Sequence, residues 1–266
     1  DFESRNEPMG YEGAEGGNTP TQNLVDAYEM KDGTPFDWNN PTHVANMYYD
    51  ASNKETRDPR LYKNVLTNGS IWQKQKVETF EGGKNKILDG STKTGYYLRK
   101  YMNPSVSLDP DKPNKLYHHY VLFRYAEILL NYAEAMNEWK GPDATAEGCP
   151  LTARAALNQV RDCADMKHVT ENGADFTAKV RNERRIELAF EGHRFYDIRR
   201  WRIAGLDEVR NLYGVKITKS GTSLSYEKVL LQQMYWNDKM YLFPYPQNEI
   251  YMNPDLGQNP GWSNGN

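Results

Sequence analysis

RNERRIELAFEGHRFYDIRRW, Arg181 to Trp201, interleaves arginines and carboxylates with Ile186, Leu188, Phe190, Phe195, Tyr196, Ile198 and Trp201. This spacing predicts a helix whose charges are locally paired. Arg184 stands one turn before Glu187, Glu191 before Arg194, and Arg194 before Asp197. Residues three or four apart are neighbours on a helix surface. Guanidinium groups fork onto carboxylates and stack on rings, so a helix rich in all three suits a half-buried polar network better than a solvated face. Arg184, Glu187, Glu191, Arg194 and Asp197 are therefore expected to form a structural network. A nucleic-acid face would carry mostly unpaired Lys and Arg instead.

Working outward, Leu122, Ala126, Leu129, Ala133 and Met136 recur at helical spacing and predict a helix over 119–139, ended by Lys140-Gly141-Pro142. Ala153, Ala156, Leu157, Val160 and Ala164 predict a second helix over 152–165. Small residues on both let them pack closely, as in a tetratricopeptide-type hairpin. Asp175 is the expected cap of the helix that leads into the arginine-rich segment, and Gly192 its expected kink. Further upstream, Thr21 to Met30 predicts a short helix and Asp32-Gly33-Thr34-Pro35 a turn. Downstream, strands are expected at Val215 to Thr218 and Met240 to Phe243. The tail, with Pro244, Pro246, Pro254 and Pro260, is expected to run extended. The expected fold is mainly α, a tetratricopeptide-like helical hairpin with long irregular loops and minor short β-strands. Its parts are a loose lead-in at 1–18, a loop-rich part at 31–118, a helical part at 119–202 and a small β and extended tail at 203–266.

Thirty-three basic residues against 36 acidic ones leave a net charge of -3, which argues against a nucleic-acid partner and a polybasic membrane patch. The chain carries 19 Tyr and 6 Trp although only 38% of it is hydrophobic. Such rings offer one apolar face and one hydrogen-bonding edge, which suits sugar binding as well as core packing. No apolar run is long enough to span a membrane as a helix. Cys149 and Cys163 are separated by most of the second predicted helix, so no bridge is expected between them.

No metal or cofactor is expected. His43, His118, His119, His168 and His193 fall in no HExxH or CxxC arrangement. Glu183, Glu187 and Glu191 lie beside arginines that would hold them ionised, which suits structure and not the acid catalysis of a glycosidase. A GxSxG nucleophile turn is absent. Binding chemistry is better represented. Phe36-Asp37-Trp38-Asn39-Asn40 places a large ring among amides and a carboxylate, and Tyr48, Tyr49 and Trp72 follow in nearby loops. Asp37, Trp38, Asn39, Asn40, Tyr48, Tyr49 and Trp72 are the expected ligand-binding set, with Trp38 at its centre.

ERRIELAFEGHRFYDIRRW resembles the signature of the SusD/RagB family, outer-membrane lipoproteins that bind nutrients beside a TonB-dependent transporter. Further stretches resemble the same family in the same order: TPTQNLVDAYEMKDGTPFD (Thr19 to Asp37), RDPRLYKNVLTNGSIW (Arg57 to Trp72), FRYAEILLNYAEAMNE (Phe123 to Glu138), LNQVRDCADM (Leu157 to Met166) and YLFPYPQNEIYMNPDLGQNPGW (Tyr241 to Trp262). The resemblance covers residues 19–266 and is to the C-terminal half of longer proteins, which implies a fragment, an engineered piece or one half of a nicked protein. It implies a non-catalytic subunit that binds oligosaccharide at the surface-exposed side of the outer membrane. The implied partner is a SusC-like TonB-dependent transporter, with membrane attachment only through a lipid anchor outside these residues. A helical-repeat interaction scaffold with no small ligand, and a peptide-binding relative, are the alternative readings. Apolar faces of the two predicted helices are expected to stay uncovered.

Overall fold

The computed structural model describes residues 2–86, 92–253 and 255–263. Pro254, one of the tail prolines, lies outside them. The architecture is mainly helical, with short strands, as the apolar spacing predicts.

Helix α1 (Phe2–Asn6) opens the chain, followed by α2 (Gln22–Ala27), which is shorter than predicted because Tyr28 leaves the helix in an extended conformation and sends its ring into the core. Helices α3 (Pro41–Ala45) and α4 (Pro59–Asn64) start alike. Asn40 or Asp58 accepts hydrogen bonds from first-turn N–H groups, and Pro takes the first helical position. Pro lacks only an N–H that would have no partner there. Strands β1 (Val65–Leu66), β2 (Ile71–Trp72), β3 (Gln75–Lys76) and β4 (Tyr97–Leu98) pair antiparallel, β1 with β4 and β2 with β3.

Helices α5 (Tyr125–Lys140), α6 (Ala153–Cys163) and α7 (Gly173–Glu187) make the helical layer. Leu129, Leu130, Ala133 and Met136 of α5 pack with Ala156, Leu157 and Val160 of α6 and with Phe176 and Val180 of α7. The Thr152 hydroxyl caps α6 by accepting from the Ala155 N–H at 3.1 Å. The other boundaries correct the expectations. Helix α5 begins at Tyr125, not at 119. Asn172 and not Asp175 precedes α7, with Asp175 in the first turn, where a carboxylate favours the positive end of the helix dipole. Gly192 does more than kink a helix. With Phe190 (φ 65°) and Gly192 (φ 83°) both left-handed, the arginine-rich segment breaks into α7 and a separate α8 (Arg194–Arg200).

After α9 (Asp207–Arg210), strands β5 (Asn211–Ser220) and β6 (Ser223–Gln233) form a long hairpin around Gly221-Thr222. Gly221 has φ 61°, the left-handed conformation that a two-residue hairpin loop requires. The hairpin is pinned to the loop region where the Val215 N–H donates to the Thr94 carbonyl at 2.9 Å. A Cβ on Gly95 would lie 2.6 Å from the Val215 carbonyl oxygen, so no side chain fits at this crossing. The strand expected at Met240 to Phe243 is instead a 3-10 turn (Asp238–Tyr241), and the tail is interrupted by α10 (Gln247–Met252) immediately after Pro246. Strand β6 is mostly exposed, so it lacks the one-sided apolar alternation that marks a strand in sequence.

The lead-in is not loose. Glu3, Asn6, Glu7 and Pro8 are buried. Exposed apolar side chains lie before and along α5, at Tyr117, Leu122, Phe123, Tyr125 and Ile128, and again in the tail at Tyr235, Phe243 and Tyr251, whereas Ala156, Leu157 and Val160 of α6 are covered. Both cysteines are free thiols.

Candidate ligand-binding cleft

Four of the five residues expected in the network, Arg184, Glu187, Glu191 and Asp197, are ion-paired, whereas Arg194 forms no ion pair among the described residues; the pairs that form run mainly across the fold and not along one helix. Arg60 bonds Asp58 at 2.6 Å, Glu187 at 2.8 Å, and Glu183. Arg161 bridges Glu183 and Glu29, both at 2.8 Å. Arg124 holds Glu187 at 2.5 Å and Glu191 at 2.8 Å, and Lys100 holds Glu191 at 2.6 Å. Arg184 reaches Asp197 at 2.9 Å, which Arg200 also contacts at 2.8 Å. The expected pairs Arg184–Glu187, Glu191–Arg194 and Arg194–Asp197 do not form among the described residues. The break at 188–193 takes Glu191 off the helix face that carries Glu187, and Asp197 is already held from two sides.

Burial alone would raise the Glu187 and Glu191 carboxyls. Hydrogen bonds from Arg124 and Arg60 hold Glu187 below the usual carboxylate value, and those from Arg124 and Lys100 do the same for Glu191. A general acid needs the opposite shift. Glu7 is the carboxyl that burial pushes up, to about 7, with the Trp72 indole hydrogen bond offsetting part of the rise. It is sealed in the core and out of a ligand's reach.

This network frames an open cleft of about 400 Å³. Lys100 donates to the Ala189 carbonyl at 2.8 Å as well as to Glu191, tying the 98–101 segment to the turn after α7. Tyr101 and Phe190, with φ 68° and 65°, are held left-handed in turns on the two sides of this junction, and both line the cleft. Non-glycine residues in that conformation persist only where surrounding structure enforces them, and they concentrate at functional sites. The Tyr101 and Tyr120 rings lie 5.8 Å apart at a 38° tilt, and Phe2 meets Tyr101 edge-on at 6.5 Å. Burial, and then the Glu191 charge, raises the Tyr101 phenol above its ordinary value, so it stays a neutral hydroxyl. Asn18 and His119 add polar edges to the aromatic wall. Rings beside amide, imidazole and hydroxyl groups can stack on the C–H face of a sugar and bond its hydroxyls.

The expected binding set is distributed differently. Trp72 is 1% exposed and its indole N–H donates to Glu7 at 2.7 Å, so it is a core residue. Tyr48 is also 1% exposed, with its hydroxyl 2.6 Å from that of Tyr96. Both were expected at a surface platform. The apolar area of a large ring placed inside a tight β-turn region is better buried than presented. Tyr49 is half-buried against Tyr62, with its hydroxyl 3.3 Å from Ser70. Trp38 is half-buried, edge-on to Phe36 at 5.6 Å, with its N–H donated to Asp26 at 3.0 Å. Asp37 and Asn39 stay exposed beside it, joined through a side-chain to backbone bond of 2.8 Å, and Asn40 caps α3.

Arg57, in the same RDPR stretch as Arg60, was not singled out by the sequence. It is fully buried, and its guanidinium donates to the Val25, Tyr28 and Met47 carbonyls while stacking 4.1 Å from the Phe36 ring centre. The partners of the network were missed too. Glu29, Arg60, Arg124 and Arg161 each fall inside one of the motif stretches, which was the available signal.

A family model described as "SusD family" matches residues 2–262. The chain belongs to the SusD family. It is 28% identical over 180 residues to the SusD-like protein P25 of Formosa agariphila, a stretch that covers 62% of this chain and 28% of that one. Among solved structures, it is 33% identical to a SusD-like protein from Bacteroides fragilis, with a TM-score of 0.70, covering 95% of this chain and 49% of that chain. A SusD-like carbohydrate binding protein from the same species is 29% identical, with a TM-score of 0.65, covering 92% and 49%. The chain thus spans about half the length of the solved relatives it matches.

Proposed function

We propose that this SusD-family chain is a saccharide-binding part of an outer-membrane nutrient-uptake system. It holds its ligand in the Tyr101–Tyr120 cleft without catalysing any reaction and hands it to a TonB-dependent transporter at the cell surface. The observation that carries this reading is the open aromatic cleft. Tyr120 is 66% exposed there, and the carboxylates behind it are neutralised by Arg124 and Lys100. That arrangement supports binding and gives no acid–base pair for glycoside cleavage. A solved relative described as carbohydrate binding supports the ligand class.

Affinity gels and a glycan array with this chain test the reading. Tyr120→Ala is expected to weaken glycan retention roughly tenfold, the worth of one stacked ring in a partly wet site, with unchanged circular dichroism. Trp38→Ala is the second arm. Its half-buried ring and hydrogen bond to Asp26 predict a loss of stability with binding kept. Retention lost in Trp38→Ala and kept in Tyr120→Ala would move the platform to Asp37, Trp38, Asn39 and Asn40. The exposed run Leu122, Phe123, Tyr125 and Ile128 favours a second reading, a protein-contact scaffold, which failure to retain any glycan would support.

A further inference from the structure

Of the arginines that form no ion pair among the described residues, three share one groove. Arg181 and Arg185, one turn apart on α7, and Arg194 at the start of α8 line a groove of about 630 Å³ closed on its far side by the 203–209 segment. None of the three forms an ion pair among the described residues. The Arg181 guanidinium lies 5.2 Å from the Trp201 ring centre, and its Nε is buried without a hydrogen-bond partner. Burial first, and the neighbouring Arg194 charge second, push Arg185 down to about 9, with Asp26 offsetting part of the shift. Asp26 is itself engaged by Lys228 at 2.7 Å and by the Trp38 indole at 3.0 Å. Burial likewise lowers Arg194, with Asp197 offsetting part, and Asp197 is already held by Arg184 and Arg200. Glu138 and Glu208 sit exposed on the rim and pair with none of the three.

Half-buried guanidinium groups gathered in one groove repel one another, and an anion between them relieves that repulsion. We propose that this groove is an anion site that takes the carboxylate or sulfate group of an acidic saccharide, forked by Arg185 and Arg194. Planar guanidinium groups match both acid groups in bidentate geometry. The groove has the volume of a small-molecule pocket, so a sugar ring fits beside the acid group. Asn182 on the same wall donates to the Ala27 carbonyl at 2.9 Å and leaves its amide oxygen for a sugar hydroxyl. The saccharide part of this inference rests on the glycan-binding reading above, whereas the anion part stands without it.

Calorimetric titrations and thermal melts of the chain test it with sodium sulfate, sodium glucuronate and glucose, each against sodium chloride at equal ionic strength. Sulfate and glucuronate are expected to raise the melting temperature above the chloride value, while glucose gives no shift that depends on Arg185. Arg185→Gln and Arg194→Gln should each weaken glucuronate binding roughly tenfold or more, the worth of a charge-assisted hydrogen bond. Arg185→Gln removes a charge that has no partner, so in chloride it should melt no lower than the wild type, which separates lost binding from lost fold. Sulfate and glucuronate that act no better than chloride, or that stabilise Arg185→Gln as much as wild type, overturn the proposal. In the former case the arginines are left to a carboxylate on another polypeptide. Neutral-glycan retention with no glucuronate binding overturns the anion site and keeps the glycan reading. Arg185-dependent glucuronate binding with no glycan retained supports the anion site and sinks the glycan reading.

Discussion

One side of α7 carries compensated charge and the other does not. Glu183, Arg184 and Glu187 point into a region where Arg60, Arg124, Arg161 and Asp197 converge on them from four separate parts of the chain. Arg181 and Arg185, on the same helix, reach no carboxylate within ion-pair distance among the described residues. Position on the helix separates 181 and 185, which share one face, from 183 and 187, which share the opposite one, while Arg184 lies between them and is claimed by Asp197. The comparison separates two uses of buried charge. A closed network holds loops in place, and the open arginine groove is the proposed site for a counter-ion.

The largest expected effect breaks the closed side. Glu183 is 1% exposed and bridges Arg60 and Arg161, so Glu183→Ala leaves two buried cations short of a partner. A cost of about 3–5 kcal/mol is expected in equilibrium denaturation. An unshifted denaturation curve would show that the network is ornamental and that the contrast with the arginine groove has no energetic content.

Glu7 sharpens the comparison from the acidic side, since it is buried with neutral donors only, the Trp72 indole at 2.7 Å and the Gln73 amide at 2.9 Å. Its folded value of about 7 lies above the ordinary 4.5, so the folded state binds the proton more tightly than the unfolded state. The resulting stability is fully present below about 4.5 and is lost as pH rises through about 7. About 3 kcal/mol should disappear across that window. Glu7→Gln keeps the acceptor for Trp72 and should flatten this part of the pH profile. A profile equally steep in the variant would assign the effect to another group.

The smallest expected effect sets the baseline. Lys31 and Asp165 form an ion pair of 2.6 Å with side chains 45% and 88% exposed. Water and salt already screen both partners. Asp165→Asn should leave the melting curve where it was. A clear drop would mean that exposed pairs here matter as much as buried ones, and the distinction drawn along α7 would lose its basis.

Much of the helical layer was legible in the sequence. Leu129, Ala133 and Met136, with Ala156, Leu157 and Val160, sit in the hairpin core as their spacing predicts. That pattern survives reading because helical neighbours lie close in sequence. The cleft was harder to read. Tyr101, Tyr120, Asn18 and Phe190 come from four segments with no shared motif, and nothing local marks them as neighbours. Trp38 and Trp72 looked like exposed platform rings because their flanks are polar. Asp26 and Glu7, hydrogen-bond partners 12 and 65 residues away, instead draw their indole N–H groups inward.

The sequence by itself determined the family and the helical class, because both are written in local spacing and in motif stretches, and it marked the charges around Glu187 without their partners. Only the tertiary structure decided which charges meet. The left-handed backbone at Phe190 and Gly192 splits the arginine-rich segment in two, and that break turns Glu191 toward Lys100 and Arg124 and leaves Arg194 beside Arg185. Coulomb pairing depends on distance in space and on the water excluded around it, and neither quantity is fixed by separation along the chain.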